Sequence, residues 1–289
     1  MGVVMDMMAR NAIEVIRRQR TKYSVKQKLG YSGEMDDVQT SADLAAQEVY
    51  THLIRGLFPY YGLIAEESKI RIECDPGMDE EIYFTVDPLD GTKAFIRSQS
   101  HGIGTMLALV RSDIVIAVCI GDVMTREVYG CIPGEAGAWR TGSEYEKQEL
   151  KPNVDQQLSS QYALTRDRPE AHSTLVRRLL NTPKMGGLCK NYQTADGSIG
   201  LSMARLWNGE VGLAIQPETI ATPWDATPVI GMNQRLDIAQ LQQNEDGYFI
   251  SVPYQLIKEP VPQPETIYLH RKHLGEFMSW QEKTFERVR

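Results

Sequence analysis

The chain has 289 residues, 42% hydrophobic and 24% charged, which is close to the globular average and excludes wholesale disorder. Its 31 Lys and Arg against 38 Asp and Glu give a net charge of −7, unsuited to broad nucleic-acid binding and suited to a protein that holds cations. The longest apolar run, Ile114 to Ile120, is far shorter than the roughly 20 residues of a membrane span. The N-terminus lacks the basic stretch that opens a secretory signal. Cys74, Cys119, Cys131 and Cys189 form no CxxC pair and read as free thiols, so a cytoplasmic protein with no membrane partner is expected.

In chain order, residues 6–20 read as an amphipathic helix carrying Met8, Ile13 and Ile16. Gly30-Tyr31-Ser32-Gly33 is a loop signal. Thr40-Ser41-Ala42-Asp43 opens a second helix that Pro59 stops. Short strands follow at Tyr61–Ala65 and Ile82–Val86. Then Thr105–Val110, Ile114–Ile120, Glu127–Cys131 and Ala136–Trp139 read as an antiparallel meander. The polar stretch 141–160 marks a boundary, dividing the chain into 1–145 and 146–289. Beyond it come a strand at Tyr162–Thr165, helices near 169–180 and 197–207, a strand at Val211–Ile215 and a terminal helix within Ile267–Arg289.

The densest chemical signal is Asp87-Pro88-Leu89-Asp90-Gly91-Thr92. Pro88 ends the strand and turns the backbone, so two carboxylates three residues apart can reach one point. Gly91 permits close approach, and the amides of such a turn form an anion site. Two carboxylates beside an anion repel one another unless hard divalent cations lie between them. Taken alone, the string could equally be a capped surface turn. Glu66-Glu67 at a strand end is either a cation-binding pair or a solvated loop. Asp225, in Trp224-Asp225-Ala226-Thr227, is either a ligand or a helix cap.

Together the Asp43 context, Glu66-Glu67, Asp87-Pro-Leu-Asp90-Gly-Thr92 and Trp224-Asp225 resemble the inositol monophosphatase superfamily over roughly residues 5 to 230. The resemblance implies a layered α-β-α-β-α sandwich of the sugar-phosphatase type. An α+β half with an antiparallel sheet would precede a smaller α/β half. It also implies a Mg²⁺-dependent phosphomonoesterase, often dimeric and Li⁺-sensitive, that hydrolyses a small phosphorylated metabolite. Glu66, Asp87 and the Leu89 carbonyl would bind a first Mg²⁺. Asp87, Asp90 and Asp225 would bind a second, and a third ion would lie near Glu66. Gly91 and Thr92 would cradle the phosphate. Thr92 with Asp43, alongside Glu66, would help deprotonate the attacking water. Gly197, Ser198 and Glu218 would face the substrate.

Lys93 after Gly-Thr resembles bisphosphate nucleotidases and histidinol phosphatases more than inositol phosphatases, so those substrates stay open. A non-catalytic binding member of the family is the other alternative. Rival chemistries lack their motifs: Cys119 and Arg126 are separated by one residue too many for a cysteine phosphatase, and there is no Asp-x-Asp, GxSxG or GxxxxGK[ST]. His270 and His273 flank Arg271 and Lys272 and read as a solvated basic face.

Overall fold

The structure, a computed structural model, describes residues 1–30, 33, 35 and 37–286. Tyr31 and Ser32, half of the loop signal at 30–33, lie outside the described residues. The first helix, α1 (Gly2–Gln19), begins four residues earlier than its periodicity indicates. It leads into a hairpin of β1 (Val25–Lys28) and β2 (Asp37–Thr40), and α2 (Ser41–Leu57) follows directly. Next come β3 (Gly62–Ala65), β4 (Arg71–Ile72), β5 (Ile82–Asp87) and the one-turn helix α3 (Thr92–Ile96). The meander continues as β6 (Gly104–Arg111), β7 (Ile114–Asp122), β8 (Val128–Cys131), β9 (Trp139–Thr141) and β10 (Lys147–Glu149). Strands β3 to β10 form one eight-stranded sheet in the order β10-β9-β8-β7-β6-β5-β3-β4, antiparallel except for β3 beside β5.

The remaining elements are β11 (Tyr162–Thr165), α4 (Thr174–Leu179), β12 (Asn191–Thr194), α5 (Ile199–Trp207), β13 (Leu213–Gln216), β14 (Thr219–Ala221) and α6 (Pro223–Arg235). They are followed by β15 (Ile238–Gln243), β16 (Phe249–Val252), β17 (Val261–Gln263), β18 (Thr266–His270) and α7 (Leu274–Glu286). A mixed six-stranded sheet has the order β12-β11-β13-β18-β15-β16, and β14 pairs with β17 separately.

Side-chain alternation along the strands explains the layering. Along β6, Leu107 and Leu109 face α1 and α2, packing with Met8, Ile13, Ala46 and Tyr50. Met106, Ala108 and Val110 face the other way, toward Met203 and Trp207 of α5 and Val229 and Met232 of α6. That middle layer also packs on Leu164, Ala214 and Tyr268 of the second sheet. The opposite face of the second sheet, with Leu213, Leu241, Ile267 and Leu269, packs on Val176, Leu179 and Phe277 of α4 and α7. The result is the five-layer α-β-α-β-α sandwich.

Several boundaries differ from the sequence reading. The strand placed at Ala136–Trp139 is Trp139–Thr141, because Gly137 has φ +76° and turns the chain just before it. The helix placed at 169–180 is a short turn of 3₁₀ helix at Pro169–Ala171 and then α4, capped by Ser173. The reading of Ile267 as part of a terminal helix is corrected. Thr266–His270 is a strand between β13 and β15, and only 274–286 is helical. The division expected between 145 and 146 falls on the connection from β9 to β10, which pair in the same sheet. No helix among the described residues is long and apolar enough to cross a membrane.

Candidate metal and phosphate site

The parallel pairing of β3 and β5 sets Ala65 opposite Val86. Their carboxyl ends therefore open at one edge, where the chain delivers Glu66 and Asp87. Among the described residues this is the only parallel contact in the eight-stranded sheet, and it puts two acids from separate strands side by side. After Asp87 the chain turns through Pro88, and the Leu89 amide donates to Asp87 Oδ1 at 3.0 Å. Leu89 itself is buried.

Asp90 turns toward the N-terminus of α5. Its Oδ1 accepts from Ile199 N at 3.0 Å, and its Oδ2 accepts from Gly200 N at 2.9 Å and from the Ser198 hydroxyl. Ser198 is fully buried and also caps the helix by accepting from Leu201 N at 2.9 Å. Ser198, expected to face the substrate, is buried here, and its hydroxyl is turned onto Asp90. The approach depends on three glycines at positive φ. A Cβ on Gly91 would lie 2.3 Å from the Gly102 carbonyl, and one on Gly197 would lie 2.2 Å from the same oxygen. Ser198 N then donates to that carbonyl at 2.9 Å. Gly91→Ala is expected to destabilise the fold by about 3 kcal/mol through the clash and its φ of +95°, lowering Tm by roughly 6–12 °C in a thermal melt.

Asp225 sits in the first turn of α6, held by the Thr222 hydroxyl at 2.9 Å. It is not the cap, a position Thr222 occupies. Ligand atoms of Asp87, Asp90 and Asp225 all lie within 4.8 Å of one another. Burial pushes the Asp87 carboxyl well above its ordinary value, and the nearby charges of Glu66, Asp225 and Asp90 add to the shift. Burial, then Asp90, pushes Asp225 up to about 6.

Next to Thr92, Thr40 caps α2 in a capping box with Asp43. Asp43 Oδ2 accepts from Thr40 N at 2.8 Å, and its Oδ1 accepts from the Thr92 hydroxyl at 3.0 Å. The same hydroxyl lies 3.1 Å from the Leu89 carbonyl oxygen, the alternative acceptor for its single proton. Burial pushes Asp43 up to about 6 despite those donors.

Burial pushes Glu66 up to about 8, opposed by Lys28 and reinforced by Glu67. Lys28 Nζ lies 2.9 Å from Glu66 and 3.1 Å from Glu67. Glu67 is anchored by Gln47, whose amide bonds both its backbone N–H, at 2.8 Å, and its carbonyl, at 2.6 Å. Lys28, Gln47 and Arg166 were not singled out from the sequence. Gln47 alone left a signal there, a polar residue one turn after Asp43 within an apolar stripe.

A cavity of about 260 Å³ is lined by Glu66, Asp87, Leu89, Asp90, Gly91, Thr92, Gly197 and Asp225, together with Lys93 and Arg166. Glu218 is exposed at the β13–β14 turn and lines neither this cavity nor the larger one beside it. An all-oxygen, carboxylate-rich set whose members repel one another fits hard divalent cations and fits no soft metal.

Acids from the ends of β3 and β5, the turn after β5 and the first turn of α6 thus converge inside a five-layer sandwich. The inositol monophosphatase family model matches residues 3–230, and the chain belongs to that family. The Nus factor SuhB of Vibrio cholerae is 27% identical over 190 residues, spanning 66% of each chain and so slightly less than two-thirds of that relative. The structure of the SuhB protein of Bartonella henselae superposes with a TM-score of 0.71 at 16% identity, covering 97% of both chains. An IMPase/NADP phosphatase complexed with Mg²⁺ and phosphate superposes with a TM-score of 0.68 at 18% identity, covering 93% of this chain and 90% of that one.

Proposed function

We propose that the protein is a Mg²⁺-dependent phosphomonoesterase that hydrolyses a small phosphorylated metabolite by direct attack of water. The observation that carries this reading is the meeting of three aspartates, from β5, the following turn and α6, within 4.8 Å. Glu66, Asp87 and the Leu89 carbonyl are the proposed ligands of one ion. Asp87, Asp90 and Asp225 are those of a second, and Glu66 those of a third, weaker one. Mg²⁺ held by these carboxylates would supply a lowered pKa for a bound water and positive charge opposite the phosphoryl and leaving oxygens.

The chain's own groups supply the rest. Thr92, bonded to Asp43, is the proposed relay of a water proton to that carboxylate, with Glu66 as the second proposed acceptor. The Gly91 and Thr92 amides are the proposed donors to the phosphoryl oxygens. Gly197 provides close backbone approach, Ser198 positions Asp90, and Glu218 remains a candidate for substrate contact only from the rim. The reading extends to the family's dimeric state, Li⁺ sensitivity and cytoplasmic location, and to two subdomains, of which the second supplies Asp225.

One observation favours a bisphosphate nucleotidase as the alternative substrate reading. Lys93 and Arg166 line both the metal cavity and the larger one, and Arg166 Nη1 is buried without a partner among the described residues. The test is phosphate release from inositol 1-phosphate, adenosine 3′,5′-bisphosphate, fructose 1,6-bisphosphate and histidinol phosphate, with Mg²⁺ and after chelation. Turnover that requires Mg²⁺ is expected, and the highest kcat/KM names the substrate. Turnover indifferent to chelation overturns the metal reading. Silence across the panel favours a binding role instead.

A further inference from the structure

We propose that the larger cavity selects the alcohol half of the phosphoester. The group it fits is uncharged, about two rings in size and rich in paired hydrogen-bond donors and acceptors, as in a nucleoside or a disaccharide. The inference rests on the phosphatase reading and deepens it.

The cavity measures about 760 Å³ and shares Asp90, Lys93, Arg166 and Asp225 with the metal cavity. A phosphoryl group seated at the carboxylates would therefore project its leaving group into this chamber. Its volume lies in the upper part of the roughly 300–1,000 Å³ range of pockets for drug-sized ligands. A glycerol or a single cyclitol ring would leave most of it to water.

Charge is confined to one end. The charged lining residues are the four shared ones and Asp167, and none of the lining residues beyond Asp225 carries a charge. Five of the neutral lining residues are glutamines: Gln216, Gln240, Gln242, Gln255 and Gln263. Strand alternation explains two of them, because Gln240 and Gln242 share one face of β15 while Leu241 enters the core behind. Gln240 is registered between Tyr268 of β18 and Val252 of β16, and this row forms part of the chamber floor.

Two amides are fixed before any ligand arrives. Gln263 Nε2 shares its two protons among Thr266 Oγ1 and the Tyr268 hydroxyl, both at 3.2 Å, and Gln216 Oε1 at 3.3 Å. That network leaves the Gln216 amino group and the Gln263 carbonyl as an adjacent donor and acceptor. The side chains of Gln240, Gln242 and Gln255 make no hydrogen bond to another described residue. A second charged group placed deep in this chamber would lose water without meeting a counter-charge, whereas a neutral polyfunctional group finds partners on several walls. The family match ends at residue 230, and Gln240, Gln242, Gln255 and Gln263 all lie beyond it.

The test compares kcat/KM, by phosphate release with Mg²⁺, for adenosine 3′-monophosphate, trehalose 6-phosphate, inositol 1-phosphate and glycerol 2-phosphate. One of the first two is expected to exceed glycerol 2-phosphate by about 10-fold or more, and which one identifies the alcohol. In the Gln240→Leu/Gln242→Leu double variant that ratio is expected to fall about 10-fold, chiefly through KM. Gln255→Leu, off the strands, repeats the test if the double variant melts early. A preference for the two smaller esters, or a ratio unchanged in both variants, overturns the chamber assignment while leaving the phosphatase reading intact. No release from any of the four overturns both.

Discussion

Replacing Asp90 by Asn is expected to lower kcat/KM for the preferred phosphomonoester about 10³-fold, which corresponds to roughly 4 kcal/mol of lost transition-state stabilisation. The size follows from two losses at one position. The substitution removes a negative charge from the proposed ion-binding cluster, where each carboxylate offsets part of the metal charge. It also reverses the chemistry at the base of α5. Asp90 accepts from Ser198, Ile199 and Gly200, and an asparagine carries acceptor oxygen on only one side, so its amino group must face a donor. That mismatch is expected to cost about 1–3 kcal/mol of stability. A thermal melt beside the kinetic assay separates the two effects. A folded variant with a large fall in kcat supports the assignment, and a folded variant at wild-type rate refutes it.

The second large effect is a pH-dependent stability that divalent metal reverses. Burial raises Asp43 and Asp225 to about 6 and Glu66 to about 8, and it raises Asp87 well above its ordinary value. A carboxyl raised in the folded state holds its proton there after the unfolded chain has released it. Stability then falls as pH rises between the unfolded and the folded value. The window opens near pH 4 and extends to about pH 8, where Glu66 loses its proton. The metal-free protein is therefore expected to melt several degrees lower at pH 8 than at pH 5. Mg²⁺ at about 100 times its Kd should restore roughly 2.7 kcal/mol, or about 5–10 °C, at pH 8 and much less at pH 5. A metal-free melting temperature that rises from pH 5 to pH 8, or a metal shift equal at both, would contradict this electrostatic account.

Much of the site was legible because its acids occur in short strings. Asp87-Pro-Leu-Asp90-Gly-Thr92 is contiguous, and its turn follows from Pro88 alone. Asp43 announced itself through the cap at Thr40. The roles at α5 were not legible. Ser198 and Gly197 looked substrate-facing, yet the three-glycine contact brings the helix end against Asp90 and buries the serine. No local pattern foretells a contact between segments more than 90 residues apart. Lys28 and Arg166 were missed for a similar reason, since each lies near another basic residue, Lys26 and Arg168, and nothing local distinguishes the one that reaches the site.

The fold shows the same division. The meander was readable from apolar runs separated by short polar or Gly turns, while Ile267–His270 was taken into the helix that follows it. All of Thr266 to Leu269 is buried, so this strand shows no period-2 alternation. The glutamines of the chamber were equally silent, because a polar residue on a strand reads as solvent-facing until the opposite wall is known.

Acids remote in sequence are proposed to share divalent ions. The most direct measurement is anomalous X-ray scattering from crystals of the protein grown with Mn²⁺ in place of Mg²⁺. The account predicts anomalous peaks within about 2.0–2.3 Å of carboxylate oxygens of Asp87, Asp90 and Asp225, and one beside Glu66 with Lys28 displaced. Crystals in which those side chains are ordered, with no anomalous signal among them at millimolar Mn²⁺, would contradict it.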